Sequence, residues 1–363
     1  MRVAVIGAGI VGASVAFRLS QGGARVQLID KAEPASGTTS ASFAWVNANN
    51  KTPREYFDLN REGMEEHQRL REELAGDAPW LHTSGNLIQV SRDDPEELER
   101  RVERLRSWGY AAEWRSASQA RELEPRVAFP DPDAPVAFFP EESWVDAVLV
   151  TKTLVDLARQ AGAETYFGEP IELIGTAGGR VEEVALSDGT RLPVDAVVNA
   201  AGPDADRVAA TAGRELPMTP KSGLLARVTA ENGRVSRLIH TPRVNLRPDR
   251  PGHVLLHHGS VDEKLADGEP VELLGSELLE RARGLVPSLG GGEVEGVRVG
   301  TRPIPSDGYP CVGGVADLPG YYEAVTHSGV TLGPLIGRLL AQEILTGEVD
   351  PLLVPFDPDR FGS

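Results

Sequence analysis

The sequence holds a single cysteine, Cys311, so no disulfide can form within the chain and a reducing compartment is the expected setting. No apolar run approaches the roughly 18 residues that a membrane-spanning helix needs. Positive charge is also short: 37 Lys and Arg against 54 Asp and Glu leave a net charge of -17. Like charge repels nucleic acid and anionic membrane surfaces, so neither is an expected partner. A small anionic substrate is still accommodated wherever one arginine lines its pocket. The first strand opens at residue 2 and leaves no room for a signal peptide, which makes a cytoplasmic protein the expectation. Internal repeats and long low-complexity tracts are missing too. What is present is ordinary globular composition, 40% hydrophobic and 25% charged, in 363 residues, enough for two domains with cores of their own.

The most informative stretch is Arg2 to Asp30. Val3 to Ile6 form a short apolar run suited to a strand buried on both faces. Gly7, Gly9 and Gly12 follow in G-x-G-x-x-G register. The first allows a sharp turn, the second leaves space for a pyrophosphate, and the third lets the next helix sit close to the sheet. Val11, Val15 and Leu19 give that helix a buried stripe, and its N-terminus, with the N–H groups of Ile10 and Val11, faces the phosphates. Val26 to Ile29 read as a second strand closed by Asp30, whose carboxylate suits the two hydroxyls of an adenosine ribose. An unphosphorylated ribose, hence FAD or NAD rather than NADP, is favoured.

Lys31 is a further expected cofactor contact; beyond it the small-polar run Ser36 to Ser42 follows the nucleotide strand directly, and Thr38, Thr39, Ser40 and Ala41 are expected to touch the ligand. Helices are expected over 52–74, from Pro95, over 118–123 and over 146–161, the last capped by Asp146. The stretch 130–140 is proline-rich and reads as irregular. Residues 164–167 suit a parallel strand. Three short strands follow over 171–174, 181–186 and 191–194, joined by Gly178-Gly179 and Asp188-Gly189. Asp195 to Asn199 then lead into Ala200, Ala201 and Gly202, tiny residues at a strand's end where a ligand approaches the sheet edge. Antiparallel strands over 224–228, 243–247 and 253–258 and helices over 276–285 and 334–345, the latter with Pro334 in its first turn, complete the expectation.

Together these pieces resemble the FAD-dependent amine and amino-acid oxidoreductases of the D-amino-acid oxidase superfamily, a group that takes in glycine oxidases, sarcosine oxidases and D-amino-acid dehydrogenases. The resemblance rests on VAVIGAGIVGASVAFRL with Asp30, the SGTTSAS loop, WVDAVLVTKTLVDLARQAGA, the meander with VDAVVNAAG, and GTRPIPSDGYPCVGG with THSGVTLGPLIGRLLAQEI. It spans nearly the whole chain. It implies an α/β protein: a Rossmann-like, glutathione-reductase-type FAD domain with an antiparallel β-meander, plus an α+β substrate domain with a mixed or antiparallel sheet. The FAD domain would comprise 1–50, 144–216 and 298–363, and the substrate domain 51–143 and 217–297.

The resemblance also implies the chemistry. A neutral amine delivers hydride from the C–H beside nitrogen to flavin N5, an imine forms, and oxygen or another acceptor takes the electrons. Arg302, in G-x-R-P, resembles the arginine that grips a substrate carboxylate through its planar fork, the alternative being a structural ion pair. The backbone of Ser328, Gly329, Val330 and Thr331 would face the flavin pyrimidine. His327 contacts flavin or substrate, or merely packs. Ile171 is a further cofactor contact at the start of the meander, and no metal is expected. Lys221 reads as a surface lysine, His257 and His258 as ordinary strand residues, and His82, Trp45 and Trp144 as weaker candidates.

Three features depart from the family pattern. Asp30 is one methylene shorter than the carboxylate many relatives carry. Ser222-Gly223-Leu224 stands where several have Arg-Gly-Gln. Cys311 lies after Asp307 rather than before it, so FAD is expected to be noncovalent. Two other readings stay open: a flavoprotein oxidising a hydroxy acid or a specialised biosynthetic intermediate, and an inactive FAD-binding partner. Oligomeric state is not legible.

Overall fold

Arg2–Ile6 runs through the middle of a six-stranded sheet, with Val3, Ala4 and Val5 fully buried. The order across the sheet is 311–314, 321–325, 196–199, 2–6, 25–30 and 164–167. All neighbours are parallel except the first pair, which is antiparallel. Chain cover on both faces explains why these strands are apolar rather than alternating. The computed structural model describes residues 1–74, 79–90, 95–230 and 235–362.

One face of this sheet carries the antiparallel meander 171–177, 180–186 and 191–193, whose Ile174, Val184 and Leu186 pack on Ala4, Ile6 and Val197. The other face carries the helices Ile10–Gln21, Ala147–Gln160 and Gly329–Thr346. The first and last of these cross unusually closely. A Cβ on Gly337 would lie 2.7 Å from Ser14, and one on Gly333 would lie 3.1 Å from Ile10 Cγ1. Two glycines in the C-terminal helix thus let distant chain ends share one wall.

A second sheet of eight strands runs in the order 294–302, 221–229, 253–257, 245–248, 238–240, 86–88, 136–139 and 113–115. It is antiparallel except where 238–240 meets 86–88. Leu224, Ala226, Leu246 and Leu256 form its core with Leu274, Leu278 and Ala282 of helix Val271–Leu285.

Several sequence expectations need correction. Val136–Phe139 is a buried strand within the stretch expected to be irregular; Pro135 and Pro140 bound it instead of breaking it. Helix 271–285 begins five residues earlier than expected, after Pro270 at its N-cap. His258 leaves the strand and caps the helix Gly259–Ala266, its Nδ1 accepting the Ser260 N–H at 3.2 Å. The C-terminal helix begins at Gly329, so Pro334 lies inside it. Proline has no N–H to offer Val330 O one turn back. His67 Nε2 donates to that carbonyl instead, at 2.8 Å.

Candidate active site

A cleft of about 1590 Å³ opens along the carboxyl ends of the parallel strands and reaches the second sheet. Its nucleotide end is built by the glycine turn. Gly7 takes φ +107°, and a Cβ there would stand 2.3 Å from Ala200 O; one on Gly12 would stand 1.8 Å from Gly7 O. The backbone is therefore drawn in where a bulky ligand must pass. Asp30 accepts the Ala8 N–H at 2.6 Å through one oxygen and the Ala32 N–H at 2.8 Å through the other. Burial raises its pKa, and those two N–H groups only partly offset this. Each oxygen keeps a lone pair for a ribose hydroxyl.

Gly9, Ile10, Val11, Thr38, Thr39, Ser40, Ala41, Ile171, Ala200, Ala201 and Gly202 all line the cleft. Thr39 does so with a structural duty, because its Oγ1 accepts the Ile10 N–H at 3.1 Å, the first N–H of a helix whose N-cap, Gly9, has no side chain to bond it. Ile10 N–H is thus already engaged. Lys31 also lines the cleft, but its ammonium is drawn to Asp204 at 2.6 Å. Thr38 Oγ1 donates to Thr301 O at 2.6 Å, tying the polar loop to strand 294–302. Gly300 matters here, since a Cβ on it would come within 2.6 Å of Ala41.

Arg302 stands beside the cleft: its strand neighbours Thr301 and Pro303 line it, while Arg302 itself is not among the lining residues. Its Nη2 donates to Asp262 Oδ2 at 2.5 Å and lies 3.2 Å from His257 Nε2. Asp262 also takes the Leu224 N–H at 2.8 Å and pairs with His257 at 3.0 Å. Burial opposes its ionisation, but the bonds from His257, Leu224 and Arg302 outweigh that and hold Asp262 below the usual carboxylate range. Gly223 makes room for the pair: a Cβ there would lie 2.5 Å from Arg302 Nη2. That glycine is common to Ser-Gly-Leu and to Arg-Gly-Gln, and Leu224 contributes only its backbone N–H, so the contact does not depend on the two residues that differ.

His327, Gly329 and Val330 line the opposite wall. The surrounding protein, and then the Lys51 and Arg302 cations, push His327 down to about 4, so it is neutral near pH 7. Ser328 and Thr331 turn away from the cleft. Ser328 Oγ accepts from Lys51 Nζ at 2.9 Å and bonds the Tyr56 hydroxyl at 2.7 Å. Thr331 Oγ1 donates to Trp45 O at 3.3 Å. Their side chains fasten the helix N-terminus to segment 45–51 rather than present themselves to a ligand. The same segment is anchored by Glu142, which accepts from Trp45 Nε1, Asn49, Asn86 and Tyr110. Burial raises Glu142 to about 7 against the pull of those donors. Among the described residues, no group of three or more His, Cys, Asp or Glu is placed to hold a metal ion.

A family model described as FAD dependent oxidoreductase, the DAO family, matches residues 2–343. The chain belongs to this family. Glycine oxidase of Geobacillus kaustophilus is 26% identical over 372 residues, covering 99% of this chain and 96% of that protein. The crystal structure of the same enzyme superposes with a TM-score of 0.86 at 25% identity, covering 99% of both chains. Iminodiacetate oxidase from Chelativorans sp. BNC1 gives a TM-score of 0.84 at 25% identity over 98% of this chain and 99% of that one.

The geometry fits the family's cofactor. This DAO-family oxidoreductase has a glycine turn that a Cβ would fill, an acid at the end of the second strand, and a cleft of about 1590 Å³ lined from that turn to Gly329 and Val330. Its lone thiol offers no covalent tether: Cys311 is fully buried in the edge strand and burial drives its pKa up. Lys51, Asp262 and Glu142 are the residues that sequence reasoning missed. Each acts through partners far away along the chain, so no local spacing announces them. No described helix is long and apolar enough to cross a membrane.

Proposed function

We propose that this flavoprotein oxidises the C–N bond of a small amine or amino acid, the substrate being glycine, a D-amino acid or an N-alkyl amino acid. The observation that carries the reading is Arg302. Asp262 engages only its Nη2, and Nη1 and Nε have no partner among the described residues. One edge of a planar fork thus stays available for a substrate carboxylate. The carboxylate clamp and the structural ion pair are not alternatives here, since the pair fixes the fork's orientation.

When bound, FAD supplies the electron sink: hydride from the C–H beside nitrogen passes to its N5, leaving an imine that water hydrolyses. The chain's own part is orientation and charge. Arg302 and Lys51 disfavour a third positive charge nearby, which lowers the pKa of an entering ammonium and favours the neutral, reactive amine. Neutral His327 adds bulk and a polar edge without adding charge. The N–H groups at the start of helix 329–346 would stabilise negative charge on the reduced cofactor. We place the FAD-binding part in 1–50, 144–216 and 298–363, the substrate part in 51–143 and 217–297, and the protein in the cytoplasm, where oxygen or another acceptor completes the cycle.

The test is to add candidate amines to the yellow holoenzyme without oxygen. Loss of the visible flavin band with an amino acid supports the reading. A band that only hydroxy acids bleach would replace it with alcohol oxidation.

A further inference from the structure

Three arginines stand on one face of the second sheet, inside the cleft. Arg247, Leu255 and Arg227 lie directly opposite one another across strands 245–248, 253–257 and 221–229. Directly opposed residues share a face, and so do alternate residues of one strand. Leu225 and Arg298 are therefore the next opposed pair on the same face. All five of these residues line the cleft. Gly296, opposite Arg227, leaves the space beside it open, since a Cβ there would meet nothing within 4 Å. The result is a buried floor of Leu225 and Leu255 with guanidinium groups around it.

Arg247 is the member that ordinary pairing does not explain. It is only 4% exposed. Its Nε donates to Phe43 O and its Nη1 to Pro248 O, each at 2.6 Å, and the Trp144 ring lies 4.7 Å from its Cζ. These contacts fix the plane of the fork. Its hydrogen bond to a carboxylate, from Nη1 to Asp249 Oδ1, is long at 3.4 Å, and Arg227 Nε holds the same acid at 2.6 Å. Nη2 has no partner among the described residues. Unmatched N–H groups on a buried cation are costly.

The surrounding charges do not correct this. Arg298 donates to Ser40 O at 3.2 Å, and no carboxylate pairs with it among the described residues. Arg250, also in the cleft, pairs with Glu295. Four arginines against Asp249 and Glu295 leave this wall at +2, in a chain whose net charge is -17. Helix Ala147–Gln160 lines the same cleft with Lys152 and its N-cap Asp146, which cancel. The phosphates of FAD have their own place at the glycine turn and the helix N-terminus behind it.

We propose that Arg247, Arg227 and Arg298 form an anion subsite of the cleft that takes a small molecule with two negative charges on oxygen, a dicarboxylate or a phosphate. Any carbon body of that ligand would lie over Leu225 and Leu255. Arg298 is four residues from Arg302 along strand 294–302, about 13 Å at the rise of a strand. The subsite is thus separate from Arg302 and does not rest on the reading of that residue.

The experiment titrates FAD-loaded protein at low ionic strength with succinate and with inorganic phosphate, against acetate and the neutral succinamide. Calorimetry gives the affinities, and tryptophan fluorescence reports through Trp144. Wild type should bind succinate or phosphate at least tenfold more tightly than acetate or succinamide, and added salt should weaken that binding. Whichever of the two binds names the source of the charge. R247M should lose the preference while keeping its FAD. R298Q, a change at an exposed position, should weaken it several-fold. W144F should still bind the dianion but lose the fluorescence change.

Equal binding of all four probes by wild type overturns the subsite, and this comparison needs no variant. So does wild-type affinity in R298Q and R247M together. Where R247M does not fold, R298Q and the wild-type comparison decide. A fluorescence change that persists in W144F places the dianion elsewhere and overturns the proposal. Binding to apoprotein that vanishes once FAD is loaded assigns the arginines to the cofactor, which also overturns it.

Discussion

Arg302 Nη2 and Asp262 Oδ2 meet at 2.5 Å in the gap left by the missing side chain of Gly223. The arginine comes from strand 294–302 and the acid from helix Gly259–Ala266, so two elements of the second sheet region fix one guanidinium beside the cleft-lining Thr301 and Pro303. Asp262→Asn should therefore disturb binding more than chemistry. A charge-assisted hydrogen bond is worth about 1.5–3 kcal/mol, enough for a tenfold or larger rise in KM for a carboxylate-bearing amine. The rate of flavin reduction at saturating substrate should fall much less. Steady-state and anaerobic stopped-flow kinetics separate the two.

Glycine substitutions in the first turn should rank by the space each leaves. A Cβ on Gly9 would lie 3.2 Å from Thr39 Oγ1, a contact that a small shift relieves. Gly12→Ala places its methyl against Gly7 O, which is backbone and cannot move aside. Gly9→Ala should fold and bind FAD with reduced affinity. Gly12→Ala should be colourless after gel filtration, and flavin absorbance per mole of protein reads both outcomes.

Thr39→Val removes the oxygen that accepts Ile10 N–H while nearly preserving shape. Leaving that buried N–H without its acceptor costs about 1–3 kcal/mol, and Thr39→Ser should recover most of it. Thermal melts of the apoprotein test this apart from any effect on FAD.

Much of this architecture is legible in the residues themselves. The turn from Gly7 to Asp30 is local: each glycine, the helix stripe and the closing acid lie within one βαβ unit, so their spacing carries the geometry. Strand 294–302 is not legible in that way. It is the sheet's edge, with Glu295, Gly296, Arg298 and Val299 exposed, and so lacks an alternating apolar signal. Pro334 misleads for a related reason. Its position reads as a helix start, and the partner that makes it tolerable inside the helix, His67, is remote in sequence. Lys51 and Asp262 look like solvated charges until folding brings Ser328 and Arg302 beside them.

His67 also gives the protein an acid-sensitive joint. It is fully buried, donates through Nε2 to Val330 O, and has no partner at Nδ1 among the described residues. Burial lowers it to about 4 from 6.5. Between those values the unfolded chain binds the proton and the folded one does not, so stability rises with pH across that window and drains away on acidification. A shift of this size corresponds to roughly 3 kcal/mol. His67→Gln keeps an N–H for Val330 but cannot titrate. Its loss of stability between pH 6.5 and 4, followed by denaturant unfolding, should be shallower than that of wild type.

The most direct test of the whole account is a single-turnover balance without oxygen: holoenzyme is mixed with a carboxylate-bearing amine, and bleaching is compared with product released. Amine oxidation predicts one carbonyl product and one ammonia or primary amine for each flavin reduced. Reduction by a hydroxy acid with no release of nitrogen, in a protein that no amine bleaches, would contradict it.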